Sequence, residues 1–207
     1  SINTVAVQLS ENIGRQNVIN MARSMGIRSP IINSPSLALG TSEVNLLELT
    51  AAYDVLANSG KGIFVHGIRS IENTSGKTLF MREGKGPGEI LDSGLVNTMI
   101  RMLENTIQTG TGKNAKIDRP AAGKTGTSQS LRDAWFIGFS SDLVVGVWFG
   151  NDDDSPMKNI TGGTAPAILW SDFMKKAHYG KPPVALSDSI IANRDKENKS
   201  RIDRLIK

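Results

Sequence analysis

Residues 121–130 read Ala-Ala-Gly-Lys-Thr-Gly-Thr-Ser-Gln-Ser, and two apolar runs, 132–139 and 143–149, follow them. The runs are rich in β-branched and aromatic residues and a short polar turn separates them, which predicts a β-hairpin. Lys124 then lies on the strand before the hairpin. A phosphate-binding loop would need a glycine at position 118, where Asp118 stands, and an apolar helix directly after the Lys-Thr pair. The stretch therefore predicts a strand and a hairpin, and a nucleotide site is a distant alternative.

The composition is that of a globular domain, with 39% hydrophobic and 21% charged residues in a chain of 207. The chain has no cysteine, which excludes disulfides, thiol catalysis and cysteine-based zinc sites. Its net charge of +4 is spread along the chain, so we expect a solvated basic surface and no nucleic-acid partner. No run is long enough to span a membrane. The start at Ser1 without a leader suggests a cut inside a longer polypeptide.

Helical spacing of apolar residues predicts five helices, and a small β region is predicted at 62–82. The helices cover 4–13, 16–25, 43–58 (with an N-cap at Thr41-Ser42), 92–107 (with Asp92 as the N-cap) and 165–177. The compact domain is predicted to cover residues 1–180. Residues 181–207 read as a basic linker or tail. The acidic loop 151–154 lacks the glycine and final glutamate of a calcium loop, so we expect no metal there.

The order of helices, Lys-Thr-Gly-Thr strand, hairpin and apolar C-terminal helix resembles the penicillin-binding transpeptidase domain, which belongs to the same superfamily as the serine β-lactamases. Ser1-Ile2-Asn3 resembles the Ser-x-Asn motif of that family at a helix start. The runs at 133–136, 150–153 and 161–163 resemble its bifunctional, class A branch. The resemblance implies an α+β fold in which helices flank an antiparallel sheet. By the same resemblance, we expect the first strands and the helix carrying the Ser-x-x-Lys motif to be absent from this chain.

The resemblance also implies that the nucleophile is missing, because the family's Ser-x-x-Lys motif precedes its Ser-x-Asn motif. The Ser-x-x-Lys run of this chain, Ser155 to Lys158, follows the Lys-Thr-Gly strand and is interpreted as a coincidence. We therefore expect a complementary N-terminal polypeptide to carry the nucleophile. By the same resemblance, the protein is expected on the extracytoplasmic side, anchored to the membrane by a segment absent from this chain.

The implied chemistry is acyl transfer through a serine ester, without a cofactor or metal. Ser1 would relay a proton to the leaving D-alanine, and Asn3 would hold a substrate amide. Lys124 would bind the terminal carboxylate of the peptidoglycan stem peptide, with hydroxyl donors from Thr125 and Thr127. The remaining parts of the implied site are Gly126, which lets substrate approach the strand, and the N–H of Thr127, which forms half of an oxyanion hole.

The implied function is a peptidoglycan D,D-transpeptidase that β-lactams inhibit. Two alternatives stay open: a D,D-carboxypeptidase, and an inactive fragment or binding module that folds only with a complementary chain. We assign no catalytic role to His66 or His178. The three tryptophans, Trp135, Trp148 and Trp170, are predicted to lie in the core.

Overall fold

The computed structural model describes residues 1–84 and 86–186. The helices are α1 (Asn3–Ile13), α2 (Arg15–Ser24), α3 (Leu46–Ala57), α4 (Ser93–Gln108) and α5 (Ala165–Ala177). The strands are β1 (Lys61–Gly62), β2 (Ser70–Glu72), β3 (Thr78–Met81), β4 (Gly88–Glu89), β5 (Ala122–Thr127), β6 (Asp133–Phe139) and β7 (Val144–Gly150). The α+β prediction is confirmed. Among the described residues, none of the helices combines the length and apolar character that crossing a membrane requires.

The main sheet is antiparallel, with the order β5-β6-β7. Thr127 pairs with Ala134 and Ala122 with Phe139, while β6 pairs with β7 through its whole length. Strand β5 therefore has one edge that no described strand covers. This strand is the one that carries the Lys-Thr-Gly-Thr run, so the predicted strand and hairpin are confirmed.

Helices cover both faces of this sheet. On the first, which we call the α5 face, the ring of Phe136 meets Trp170 of α5 in an edge-on contact with centroids 5.2 Å apart. On the opposite, α3 face, Gly146 lies so close to α3 that a Cβ there would collide with Thr50. The core accordingly has two clusters. One centres on Trp170 and the other includes residues of α3, α4 and β6.

Helix α3 begins three residues later than predicted. Asn45 is its N-cap, and the Asn45 side chain accepts a hydrogen bond of 2.9 Å from the Glu48 N–H. The predicted cap at Thr41-Ser42 is wrong, because Ser42 instead uses its hydroxyl to accept the N–H of Ile32. Asparagine and serine are comparable N-caps. The hydrogen bond between Ser42 and the loop at Ile32 therefore determines that the helix begins after Asn45. The predicted cap of α4 is confirmed, since Asp92 accepts the N–H groups of Gly94 and Leu95.

The predicted small β region is present as two separate pairs of strands. Strands β1 and β4 form one pair, and β2 and β3 form the other. Every residue of β2 and β3 is exposed. The turn between these two strands is held by Asn73, whose side chain accepts the N–H groups of Ser75 and Lys77. This region lies apart from the main sheet and adds nothing to its two core clusters.

The described chain continues past residue 180 and packs against the domain. Leu186 is buried in the cluster between α3 and α4. The buried Arg119 guanidinium donates to the carbonyls of His178 and Lys181, which fixes the chain at the end of α5. The predicted division at residue 180 stays a prediction, because most of the tail, from 187 to 207, lies outside the described residues.

The core prediction holds for one tryptophan and is wrong for another. Trp170 is fully buried and donates its indole N–H to the carbonyls of Val145 and Gly138. Trp148 is 40% exposed and Trp135 is half-buried. Both point to the α3 face, near the end of the sheet where β5 ends and β6 begins, and helix α3 covers the middle of this face instead.

Candidate active site

Lys124 of β5 reaches the first residue of the chain. Its Nζ donates to Ser1 Oγ at 2.7 Å and to the Thr125 carbonyl at 2.8 Å. The two residues of the first contact are 123 positions apart, so the fold joins the Ser-x-Asn and Lys-Thr-Gly motifs. Two of the predicted site residues therefore meet in one hydrogen bond.

The environment of Lys124 disfavours its charge. The side chain leaves the sheet on the α3 face and is half-buried. Desolvation lowers its pKa below the usual 10.5, because burial penalises the ammonium form of a lysine. An amine that loses its proton more easily than an exposed lysine can exchange a proton with a hydroxyl beside it. The Ser1 hydroxyl has this position.

Helix α1 places the Ser-x-Asn motif at its first turn. Asn3 is the first helical residue, and the N-cap is Ile2, which has no side chain able to cap. Asn3 is exposed, and its carboxamide makes no hydrogen bond to a described residue. Asn3 is therefore not a helix cap, and its amide is available to a ligand at the same end of α1 as Ser1.

The hydroxyls of Thr125 and Thr127 lie on the α5 face and have protein partners. Thr125 Oγ1 and Thr111 Oγ1 are 2.7 Å apart. Thr127 Oγ1 accepts the N–H of Gly162 at 3.0 Å. Because the Thr127 oxygen acts as an acceptor here, its own proton remains available for donation. The Thr125 hydroxyl is hydrogen-bonded to that of Thr111, a residue that no motif of the sequence marks as part of the site.

Gly162 is close to the sheet for a steric reason. A Cβ on this residue would lie within 3.0 Å of the carbonyl oxygens of Gly126 and Trp135. Only glycine therefore allows the loop to come near enough for its N–H to reach Thr127. The Thr-Gly-Gly run is visible in the sequence, but its contact with β5 is not, since no local signal encodes a contact between residues 35 positions apart.

The backbone of β5 presents free groups at its open edge. In an antiparallel ladder, hydrogen-bonded and non-hydrogen-bonded pairs alternate. The Ser128 N–H donates to the Asp133 carbonyl at 3.0 Å, and the register makes Gly126 and Trp135 the next hydrogen-bonded pair. The N–H and C=O of Thr127 therefore point away from β6, toward the open edge. An N–H in this position can receive the oxygen of a ligand bound along the edge.

The remaining predicted features lie elsewhere. Ser155 is in the loop after β7, where its hydroxyl accepts from Asn151 and its N–H donates to Asp153. These bonds hold the acidic loop 151–155 in a local turn. The described ranges contain no cluster of metal-binding side chains. His178 is buried at the end of α5, where its ring nitrogens contact Ser140 Oγ and the Met174 carbonyl.

A family model described as the penicillin binding protein transpeptidase domain matches residues 1–175. Penicillin-binding protein 1A of Aquifex aeolicus is 38% identical over 179 residues, which cover 84% of this chain and 24% of that protein. The protein of the same name from Neisseria meningitidis serogroup B is 32% identical over 189 residues, covering 87% and 24%. The chain thus spans about a quarter of the length of these relatives.

Solved structures have the same fold. The crystal structure of penicillin-binding protein 1A from Haemophilus influenzae superposes with a TM-score of 0.81 at 25% identity, covering 90% of this chain and 34% of that chain. An imipenem acyl-enzyme complex of penicillin-binding protein A from Mycobacterium tuberculosis has a TM-score of 0.69 at 20% identity, covering 83% and 45%. The chain belongs to the penicillin-binding protein transpeptidase family, in its class A branch.

Proposed function

We propose that this chain is part of a peptidoglycan D,D-transpeptidase that works through an acyl-serine intermediate. The observation that carries the proposal is the 2.7 Å hydrogen bond from Lys124 to Ser1, because it joins the two motifs beside the open edge of β5. A stem peptide would add to this edge as an antiparallel strand. Its reacting carbonyl would lie at the Thr127 N–H and its terminal carboxylate near Lys124.

Each residue then has a distinct role. Lys124 attracts the terminal carboxylate and holds Ser1, whose hydroxyl relays a proton to the leaving D-alanine. Asn3 donates and accepts hydrogen bonds with a substrate amide. Thr125 and Thr127 add hydroxyl donors for the substrate from the α5 side of the edge strand. The Thr127 N–H stabilises the oxyanion, and one such donor contributes about 3 kcal/mol in the transition state.

The nucleophile is proposed to come from a complementary polypeptide with a Ser-x-x-Lys motif. Support comes from apolar side chains that the described chain leaves exposed beside the site. Three of them, Ile2, Val5 and Leu9, have exposed fractions of 69%, 57% and 60%. They follow one another at helical spacing along α1, which is the pattern of a helix face that packs against another element.

The test is to produce this chain together with the complementary polypeptide and to label the assembly with a fluorescent penicillin. Label on the complementary chain, located by denaturing electrophoresis and intact mass, is expected. The M. tuberculosis relative forms an acyl-enzyme with imipenem, so a β-lactam is a suitable probe. Label on this chain would contradict the proposal and would direct attention to Ser1 as the nucleophile.

Two variants sharpen this test. Ser1→Ala removes the hydroxyl that Lys124 holds and should slow acylation at least about tenfold, as the loss of a hydrogen bond to a charged group does. Ser155→Ala is the matched control, since Ser155 has partners only within its own loop, and its rate should stay that of the wild type. Equal rates for both variants would contradict the role of Ser1.

The transpeptidase is distinguished from the two alternatives by its products. With a stem peptide and an amine acceptor, a transpeptidase yields the cross-linked amide, whereas a carboxypeptidase yields only free D-alanine. No product and no label would indicate an inactive fragment or binding module.

Because peptidoglycan lies outside the cytoplasm, we also propose an extracytoplasmic location with an anchor outside this chain. A reagent that does not cross membranes should modify the full-length protein in intact spheroplasts.

A further inference from the structure

The segment 111–114, which we call the brace, contacts both the end of β5 and the loop before α5. Thr111 Oγ1 lies 2.7 Å from Thr125 Oγ1 of the strand. Asn114 Nδ2 donates to the Gly163 carbonyl of the loop at 2.8 Å. The brace and the loop are so close that a Cβ on Gly163 would lie 2.4 Å from the Thr111 carbonyl oxygen. The brace thus ties the edge strand to a loop that follows the sheet.

The same loop is also linked directly to the strand, because the Gly162 N–H donates to Thr127 Oγ1 at 3.0 Å. Brace, loop and strand are therefore connected pairwise, and their three hydrogen bonds form a closed cycle. When one bond of such a cycle is lost, every segment stays connected to the other two, directly or through the third. When two bonds are lost, one segment is separated from the rest. The end of β5 should therefore tolerate one broken bond far better than two.

The brace is itself fixed to the core of the domain. The Gly112 N–H donates to the Thr106 carbonyl in the last turn of α4 at 3.0 Å. A Cβ on Gly112 would lie 3.1 Å from the ring of Phe136, so the brace packs directly on this core residue. Ala115, which follows the brace, is fully buried in the cluster that centres on Trp170. Through the brace, the end of the edge strand is therefore held by the rigid part of the fold.

We propose that Thr111 and Asn114 are positioning residues for acyl transfer, which together fix the N–H of Thr127 at the open edge of β5. This inference rests on the proposed function, in which that N–H stabilises the oxyanion. Thr111 acts through Thr125, and Asn114 acts through the loop at Gly163. An oxyanion donor is effective because its position is set before the reaction, and a misplacement of about 1 Å costs about a hundredfold in rate.

The experiment measures penicillin acylation of the complete assembly, as a rate constant per labelled site at saturation and a dissociation constant for the complex that precedes acylation. Thr111→Val keeps the shape of the side chain but removes the hydroxyl, and Asn114→Ala removes the amide donor. Each single variant should lower the rate constant about twofold. The double variant should lower it about thirtyfold, well beyond the product of the single effects, because the two residues are coupled. The dissociation constant should stay within about twofold of the wild type.

Two further variants serve as controls. Thr111→Ser keeps the hydroxyl, so its combination with Asn114→Ala should react at the rate of Asn114→Ala alone. Thr109→Val is the matched control, since it removes a threonine hydroxyl that donates to Asn105, outside the brace. Its combination with Asn114→Ala should show no loss beyond that of Asn114→Ala alone.

The infrared band of the acyl-enzyme ester carbonyl reports on the Thr127 N–H, since a hydrogen bond to a carbonyl oxygen lowers its stretching frequency. The band should move to higher frequency in the double variant and slightly so in each single variant, which keeps the test decisive if the double variant does not fold. Single effects that simply multiply, an unchanged ester band, or a loss confined to the melting temperature and the number of labelled sites would overturn the proposal. If the wild type does not label at all, the proposed function itself fails.

Discussion

The N–H of Gly162 donates to Thr127 Oγ1 at 3.0 Å, so a loop that follows the sheet holds the last residue of its edge strand. The loop can come this close because Gly162 has no side chain, and a Cβ would collide with the carbonyl oxygens of Gly126 and Trp135. The position of Thr127, and with it the N–H at the open edge, therefore depends on a residue far outside the Lys-Thr-Gly-Thr motif.

Gly162→Ala should displace the loop or the end of β5. We expect a lower melting temperature, with a loss of about 1–3 kcal/mol in the free energy of unfolding as for other overpacked sites, and slower penicillin acylation of the assembly. Gly67→Ala is the control, because a Cβ there meets no atom within 4 Å. Wild-type acylation by the Gly162 variant would contradict the role of this contact.

Lys124→Met tests the lowered pKa of Lys124. Because the folded state holds the proton of this lysine less tightly than the unfolded state, the unfolded state binds more protons between the lowered pKa and 10.5. Stability contributed through Lys124 therefore rises with pH in this window. The free energy of unfolding of the wild type should increase relative to Lys124→Met as the pH is raised toward 10.5. Lys175→Met controls for the loss of a surface lysine, and a constant difference between the wild type and Lys124→Met would contradict the assignment.

The lowered pKa of Lys124 should also affect the binding of ligands that carry a carboxylate. Since Lys124 loses its charge at a lower pH than an ordinary lysine, its attraction for a carboxylate should weaken before pH 10.5 is reached. The affinity of the assembly for a non-reactive peptide ending in D-alanine should decline on the alkaline side, while the amidated peptide, which has no carboxylate, should show no such decline. Parallel curves for the two peptides would exclude Lys124 as the carboxylate partner.

Trp170→Ala should strongly destabilise the fold. Trp170 is fully buried, stacks edge-on against Phe136 and donates to two sheet carbonyls, so we expect a loss of about 3–5 kcal/mol in a denaturant titration. Leu169→Ala is a neighbouring control with a 50% exposed side chain, and its effect should be within about 0.5 kcal/mol. Similar losses for the two variants would mean that α5 does not pack as described.

Leu186→Ala tests whether the chain after α5 stabilises the domain. Leu186 is buried at 4% exposure between α3 and α4, and its truncation should cost about 2–5 kcal/mol. The control is Ala185→Ser, at an exposed neighbouring position. If Leu186→Ala is as stable as the wild type, residues after 180 behave as the linker that the sequence predicts.

The parts of the fold that the sequence predicts well are those with local signals. The Asp92 cap, the strand and hairpin and helix α5 each follow from spacing and turn residues, and the structure has them at or within one residue of the predicted bounds. The parts it did not predict depend on contacts between distant residues. The start of α3 follows a contact between two loops, the burial of Leu186 requires α3 and α4 to be in place, and Trp148 is exposed because α3 covers another part of the sheet.

The residues of the candidate site also fall into two groups, those that the sequence predicts and those that it does not. The motif residues could be predicted because their pattern resembles that of a known family. Their roles come from the same resemblance and stay predictions. The sequence does not predict the hydrogen-bond partners of Thr125 and Thr127. Thr111 beside Thr125 and Gly162 beside Thr127 are contacts across 14 and 35 positions, and a single sequence has no periodicity that reports them.

The hydrogen bond between Ser1 and Lys124 has a consequence for the order of folding. It closes a loop of 123 positions, whereas β5, β6 and β7 pair through short connections. Because the entropy of loop closure opposes distant contacts until nearer ones have formed, the sheet should form before the two motifs meet. Substitutions at Ser1 should then change the unfolding rate and leave the refolding rate nearly unaltered. The contact between the two motifs would then be among the last native contacts to form during folding.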